Sequence, residues 1–196
     1  MWNWRDFGVV DHRMVGLLDQ LSRSTELGER SRAETLGTLA VELYYGSERA
    51  RGIAAGIEAV EIARELGEPE LLGRTLNNLT IACWEPSYDQ FRMDLMSEAL
   101  DLVGSGLSWH AEVIARMHRV SLLLRRGETE AFVADLERAA EIAATLSIPE
   151  IEAQIACQQS TRLLLGGDLA TARAAADESN ERLLATDLWG AEWCRL

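Results

Sequence analysis

Apolar residues recur along almost the whole chain at the three- and four-residue spacing of amphipathic helices. The pattern is clearest where Leu72, Leu76, Leu79 and Cys83 follow one another four, three and four positions apart. Strand-like alternation is lacking, and only three prolines interrupt the chain. The pattern predicts ten helices, near residues 11–22, 30–45, 48–66, 69–83, 87–103, 109–126, 128–146, 149–165, 168–185 and from 187 onward.

Helix ends are marked by residues whose backbone preferences suit them. Asp11 and Asp168 are predicted N-caps, because a short carboxylate accepts a hydrogen bond from the first turn. Pro69 and Pro149 are predicted to start helices, where a missing N–H costs no hydrogen bond. Left-handed C-caps are predicted at Gly46, Gly67 and Gly127.

The chain also contains an internal sequence repeat. The thirteen residues 58–70, EAVEIARELGEPE, match residues 138–150, RAAEIAATLSIPE, at seven positions without a gap. A weaker copy lies at 98–102, and Gly127-Glu128 recurs as Gly167-Asp168, forty positions later. A period near forty in a helical chain is typical of stacked helical hairpins.

Small residues recur on alternate helices and predict close packing between them. They are Ala59 and Ala63, Ala139 and Ala143, and Ala172 and Ala176. The fold class expected is all-α: a right-handed α-superhelix, or solenoid, of about five antiparallel hairpins similar to tetratricopeptide repeats. One such domain is expected over residues 1–196. Trp189 and Trp193 on the last hairpin favour either a longer array or homodimerisation through that hairpin.

Composition narrows the function classes. The chain of 196 residues carries a net charge of −13, which opposes direct binding of nucleic acid. The nearest basic patch, formed by Arg116, Arg119, Arg125 and Arg126, is interpreted as a solvated helix face. No apolar stretch predicts a membrane span or a signal peptide, and three scattered cysteines predict a reduced, mostly buried set in a cytoplasmic protein.

Catalytic and metal-binding patterns are lacking. All nineteen basic residues are arginine, so a phosphate-loop lysine and a Schiff-base lysine are excluded within this chain. His110 and His118 lie about 12 Å apart along one helix, too far for a shared metal. We therefore expect no enzyme activity, no cofactor and no metal site.

Aromatic residues at predicted helix ends are the candidate binding residues. Tyr44, Tyr45, Trp84 and Trp109 lie where hairpins meet, and they either pack between repeats or anchor a partner. Tryptophan, tyrosine and arginine dominate the energetic centres of protein interfaces. A groove lined by Trp84 and Trp109 would instead suit a small molecule.

Several stretches together resemble the tetratricopeptide-like region of large multidomain bacterial transcriptional regulators. They are Trp4-Arg5-Asp6-Phe7-Gly8-Val9-Val10-Asp11, Leu39 to Tyr45, Glu58 to Pro69, Trp84-Glu85-Pro86 and Leu123 to Glu128. In that family a signal-transduction ATPase, often with a SARP-type or cyclase-like domain, precedes the repeats, and a LuxR-type helix-turn-helix often follows. The resemblance carries no catalytic residue onto this chain.

The resemblance implies a protein-interaction or sensing segment of a transcriptional regulator. Its partner would be the regulator's own ATPase domain or another protein. A small-molecule sensor with an aromatic-lined groove and a stand-alone adaptor are the alternatives.

Overall fold

The computed structural model describes residues 8–186, which form nine α-helices and no strand. The helices are α1 (His12–Ser22), α2 (Glu29–Glu42), α3 (Arg49–Leu66), α4 (Pro69–Ala82), α5 (Asp89–Asp101), α6 (Trp109–Arg126), α7 (Thr129–Leu146), α8 (Pro149–Leu165) and α9 (Leu169–Leu184). A short 3₁₀ turn, Pro86–Tyr88, precedes α5. The all-helical prediction is confirmed for this part of the chain.

The forty-residue period reappears in where the helices begin. From α2 to α8 the even-numbered helices start at Glu29, Pro69, Trp109 and Pro149. From α3 to α9 the odd-numbered helices start at Arg49, Asp89, Thr129 and Leu169. Positions that differ by forty therefore occupy equivalent places in successive helix pairs.

The predicted caps explain most of these boundaries. Asp11 Oδ1 accepts a hydrogen bond from Met14 N at 2.9 Å, and Asp168 Oδ1 accepts one from Thr171 N at 3.1 Å. Gly67 ends α3 in the left-handed region at φ 64°, and Ser147, eighty residues later, ends α7 there at φ 51°. The copied segments therefore end in the same backbone conformation although one has lost its glycine.

The prediction for Gly46 was wrong. Helix α2 ends at Glu42, and the left-handed φ predicted for Gly46 is not found. Its small size matters instead, because a Cβ there would approach Val10 Cγ2 to 3.1 Å. Close contact with the segment before α1 therefore explains why a glycine lies at position 46, and the geometry of a helix cap does not.

Successive helices pack against one another, and even-numbered helices near the start of the chain also touch. Helix α2 packs on α3 and on α4, and α4 packs on α5 and on α6. Connections of only two residues join α3 to α4, α6 to α7 and α7 to α8, so these neighbours run antiparallel. The turns α2–α3, α4–α5 and α6–α7 therefore lie at the same end of the helices.

Most of the predicted small residues lie in the core. Ala59, Ala63, Ala139, Ala143 and Ala172 are buried. The prediction for Ala176 was wrong, since its side chain is exposed. The buried positions of α9 include Ser179, which occupies the place of Ala59 and Ala139, and Leu183. Within residues 8–186 no helix covers the Ala176 position, whereas the equivalent residues of earlier pairs, Gly56, Met96 and Leu136, are buried.

Helices α2 and α3 approach so closely that one contact leaves no room for a side chain. A Cβ on Gly52 would lie 2.9 Å from Leu43 Cβ and 3.1 Å from Ala40 O. Both atoms are fixed by the backbone. We expect Gly52→Ala to lower the free energy of unfolding by about 1–3 kcal/mol, although alanine favours helix over glycine. Urea unfolding measures the change.

Gly16 is the matched control, because it lies in α1 and no atom of the described part of the chain comes within 4 Å of a Cβ built on it. We expect Gly16→Ala to stabilise the protein by up to about 1 kcal/mol. A Gly52→Ala protein as stable as wild type would show that α2 and α3 do not pack this closely.

Some predictions fall outside the described residues. The tenth helix with Trp189 and Trp193 lies there, and so does Trp4 of the N-terminal stretch that carries the resemblance. Within residues 8–186, none of the helices is long and apolar enough to cross a membrane.

Candidate functional site

Three of the four predicted partner-contact aromatics meet at the end shared by the turns α2–α3 and α4–α5. Tyr44 Oη donates a hydrogen bond to Trp84 O at 3.4 Å. Arg49 Nε donates to Ala82 O at 3.1 Å and so ties the start of α3 to the end of α4. We call Tyr44, Tyr45, Arg49, Trp84, Arg92 and His118 the aromatic–arginine cluster.

Trp84 is the centre of the cluster. Helix α4 ends at Ala82, and Pro86 prevents its continuation, so Trp84 lies in the turn between α4 and α5. The Arg92 guanidinium lies over it, with Cζ 4.7 Å from the ring centroid, in a cation–π contact. His118 meets the ring edge-on, with centroids 5.5 Å apart. Despite these contacts Trp84 stays 42% exposed.

The two tyrosines extend this surface. Arg49 lies over the Tyr44 ring at 5.0 Å, and the Tyr44 and Tyr45 rings meet edge-on at 4.6 Å. Tyr45 is 45% exposed. Partial burial, with a smaller contribution from Tyr44, raises the pKa of the Tyr45 hydroxyl, so it stays protonated at neutral pH. The ring thus offers an apolar face with a neutral hydrogen-bonding group.

The arginines in and beside the cluster outnumber the carboxylates that they contact. Arg49 pairs with Glu85 at 3.3 Å, while Arg92 and Arg125 share Asp89 at 3.6 and 3.0 Å. Three guanidinium groups against two carboxylates leave one positive charge. Burial lowers the pKa of Arg92, with the Asp89 carboxylate opposing that change.

Trp109 does not belong to this cluster. It is the first residue of α6 and is 51% exposed. His118, which touches Trp84, lies nine residues further along α6, about 13 Å away by helix rise. Trp84 and Trp109 therefore lie towards opposite ends of the helices and do not line one groove.

Two arginines of the predicted basic patch are held by buried carboxylates. Asp135 of α7 accepts hydrogen bonds from Arg116 Nη1 at 2.7 Å and from Arg119 Nε and Nη2 at 2.5 and 2.7 Å. Glu112, also buried, accepts from Arg116 at 2.9 Å and from Arg138 at 3.4 Å. These contacts fasten α6 to α7 and occupy the guanidinium edges that phosphate would need.

The other two arginines of that patch are also paired. Arg125 contacts Asp89, and Arg126 contacts Glu128 at 2.6 Å. Both lie near the end of α6, but each faces a carboxylate of a neighbouring element. The four arginines thus contact carboxylates and form no uniformly basic strip.

The two described cysteines lie in different environments, and no metal-binding group of side chains is found among the described residues. Cys83 is buried, and burial raises the pKa of its thiol to about 11, although the charges of Arg49 and Arg92 act in the opposite direction. The neutral thiol is a poor nucleophile. Cys157 is exposed, and Cys194 lies outside the described residues, so the expectation of a mostly buried set stays a prediction. Among the described residues, no group of three or more histidine, cysteine or acidic side chains could hold a metal ion.

Arg92 and His118 were missed in the sequence, although a signal for Arg92 exists. Arg92 precedes the buried Met96 and Ala99 by four and seven positions, on the apolar stripe of α5. Forty residues on either side, the equivalent positions are Gly52 and Phe132, and both are buried. An arginine at this position of the apolar stripe therefore predicts a charged group inside the core.

No protein-family model matches the chain, and no curated protein matches it at a significant level. The resemblance to transcriptional regulators therefore depends on the sequence motifs alone, and it stays a prediction.

Proposed function

We propose that this chain is a non-catalytic interaction and sensor module of a bacterial transcriptional regulator. In this proposal its helix pairs coil into a right-handed superhelix of tetratricopeptide-like units. The forty-residue spacing of the helix starts supports this arrangement, as do the contacts of α4 with both α2 and α6. Each unit of such an array contacts only its neighbours and leaves a long surface for a partner.

The observation that carries the proposal is the exposure of the aromatic–arginine cluster. Tyr45 and Trp84 are nearly half exposed, while the Tyr44 ring packs edge-on against Tyr45 and the Arg92 guanidinium lies over the Trp84 ring. A partner that covers these rings gains apolar burial without ordering them first. Tryptophan, tyrosine and arginine side chains that are already held in place are typical of the energetic centre of an interface.

The partner is a protein segment, either in the ATPase domain of the same regulator or in another protein. The chain as a whole carries a net charge of −13, so a partner with a basic rim would associate fastest. Regulation follows if the module binds one state of that partner more tightly than another, because differential affinity shifts the equilibrium between states.

Tyr45 is the position from which to identify the partner. Replacing it with a photo-crosslinking phenylalanine derivative keeps an aromatic ring at the exposed site. We expect irradiation in cells to attach one defined protein, identified by mass spectrometry. Tyr45→Ala is then expected to weaken the purified complex by roughly thirtyfold, or about 2 kcal/mol, as for other interface anchors.

Trp109 is the matched control because it is similarly exposed and lies at the start of α6, about 13 Å along the helix axis from His118, which contacts Trp84. The same crosslinker there should capture little of that protein. Equal capture from both positions, or none from Tyr45, would contradict a partner surface at the cluster.

A further inference from the structure

Asp89 and Arg92, three positions apart in the first turn of α5, form an incomplete ion pair. Arg92 Nη1 lies 3.6 Å from Asp89 Oδ1, which is too far for a hydrogen bond. Within the described part of the chain, Asp89 Oδ1 has no hydrogen-bond partner, and neither do Arg92 Nε and Nη2, although all three atoms are buried. A carboxylate oxygen and two N–H groups that could satisfy one another are therefore neighbours without a bond between them.

Each member of this pair also contacts a third residue. The Arg92 guanidinium lies over the Trp84 ring, with Cζ 4.7 Å from the ring centroid. Arg125, near the end of α6, contacts the other carboxylate oxygen of Asp89, with Nη2 3.0 Å from Oδ2. In this arrangement the cation–π contact fixes the orientation of Arg92, and Arg125 holds the carboxylate that Arg92 does not reach.

The chain contains a complete pair of the same kind. Glu48 and Arg51 are also three positions apart, at the start of α3, and Arg51 Nε donates to Glu48 Oε2 at 2.8 Å. Residues three apart share one face of a helix, and rotation about side-chain torsions moves a guanidinium from one neighbour to another. Arg92 can therefore reach Asp89 without a change in the backbone of α5.

Neither position of Arg92 satisfies every group, so the two are close in free energy. Over Trp84, the guanidinium gains a cation–π contact but leaves its own donors and Asp89 Oδ1 without bonds. On Asp89, those polar groups are satisfied, but the Trp84 ring loses its cover and Arg125 must share the carboxylate. The contact that Arg125 makes with Asp89 therefore influences which position is preferred.

We propose that the Arg92 side chain alternates between these two positions and so controls how firmly the Trp84 ring is held. In the position that the structure shows, the guanidinium lies over the ring. In the other position it donates to Asp89, and the released ring turns further into solvent. Arg125 favours the first position, because its charge beside Asp89 Oδ2 weakens the attraction of that carboxylate for Arg92.

The alternation also bears on regulation of the partner surface, and this consequence rests on the proposed function. Trp84 belongs to the surface that a partner would cover, and the cation–π contact helps to hold its ring in place. A partner that binds the held ring raises the population of that position. Its apparent affinity falls by the fraction of molecules in which Arg92 lies on Asp89 instead.

Fluorine nuclear magnetic resonance of the free protein tests the alternation. The tryptophans are replaced by 5-fluorotryptophan, and the Trp84 signal is assigned by its loss in Trp84→Phe. A neutral, soluble gadolinium chelate is the probe, because it speeds the relaxation of fluorine nuclei that solvent reaches. We expect Arg125→Gln to raise this relaxation effect at Trp84 by about twofold, since Asp89 becomes available to Arg92.

Arg126→Gln is the matched control for the loss of an arginine at this end of α6. Arg126 follows Arg125 directly but contacts Glu128, so its replacement should leave the relaxation of Trp84 as in wild type. Asp89→Asn supplies the second control, because it removes the charge that attracts Arg92. In that background, replacing Arg125 should no longer change the exposure of the Trp84 ring.

The proposal is overturned if Arg125→Gln leaves the relaxation of Trp84 unchanged, or if Arg126→Gln changes it equally. An effect of Arg125→Gln that persists together with Asp89→Asn would also overturn it. If circular dichroism shows that Asp89→Asn does not fold, the comparison of the two arginine variants decides. No partner is present in these measurements, so a negative result contradicts the alternation of Arg92, whereas crosslinking from Tyr45 tests the partner surface.

Discussion

Replacing Asp135 with asparagine is expected to lower the free energy of unfolding by about 3 kcal/mol. Asp135 is buried and accepts three hydrogen bonds from two arginines of α6. The amide keeps the size of the side chain but loses its charge, and its NH₂ group faces guanidinium donors. Arg116 and Arg119 would then lose their shared partner between α6 and α7. Urea unfolding at neutral pH measures the difference.

Glu141→Gln is the control for loss of one carboxylate from the same helix. Glu141 is exposed and pairs with Arg138 at 2.9 Å, so its replacement should cost less than about 1 kcal/mol. The cost of Asp135→Asn should persist in about 0.5 M salt, because a buried pair is weakly screened. Equal costs for the two variants would show that the α6–α7 pairs are merely surface contacts.

Lowering the pH is expected to destabilise the protein, because His118 binds a proton more readily in the unfolded chain than in the folded one. Burial, with a smaller contribution from the Arg92 charge, lowers the pKa of His118 to about 3 in the folded chain. The unfolded chain returns it to about 6.5. Between these values the unfolded state binds more protons, so stability falls as pH falls, by about 1.4 kcal/mol per unit. The effect begins near pH 6.5 and is complete near pH 3.

Urea unfolding of wild type and His118→Gln between about pH 7 and pH 5 checks this. We expect wild type to lose about 2 kcal/mol more than His118→Gln over that interval. His12→Gln, at an exposed position of α1, is the control for adding a glutamine. Parallel stability curves for wild type and His118→Gln would rule out a neutral, buried imidazole beside Trp84.

The helix boundaries were largely predictable because their causes are local. Pro69 and Pro149 begin helices, Gly67 and Gly127 end them at positive φ, and Asp11 caps the first turn. Each effect involves only a few neighbouring residues, so spacing along the chain is enough to find it. The forty-residue repeat was visible for the same reason, since equivalent helices repeat the same local signals.

The composition of the site was only partly predictable. Tyr44, Tyr45 and Trp84 were identified from their places at helix ends, and their contact was not. Trp109 satisfied the same criterion and lies elsewhere. In an array of antiparallel helices, alternate turns lie at opposite ends. A residue at the end of a helix can therefore join the cluster only if its turn lies at the same end as the turns α2–α3 and α4–α5.

Sequence alone determined that the chain is helical, where most helices begin and end, and which positions are equivalent every forty residues. Tertiary structure decided that Arg92 is buried under Trp84, that Asp135 neutralises two arginines of the expected basic patch, and that Gly52 admits a neighbouring backbone. The reason is physical: caps and helical periodicity act over one or two turns, whereas burial, ion pairing and close backbone approach depend on residues from other helices.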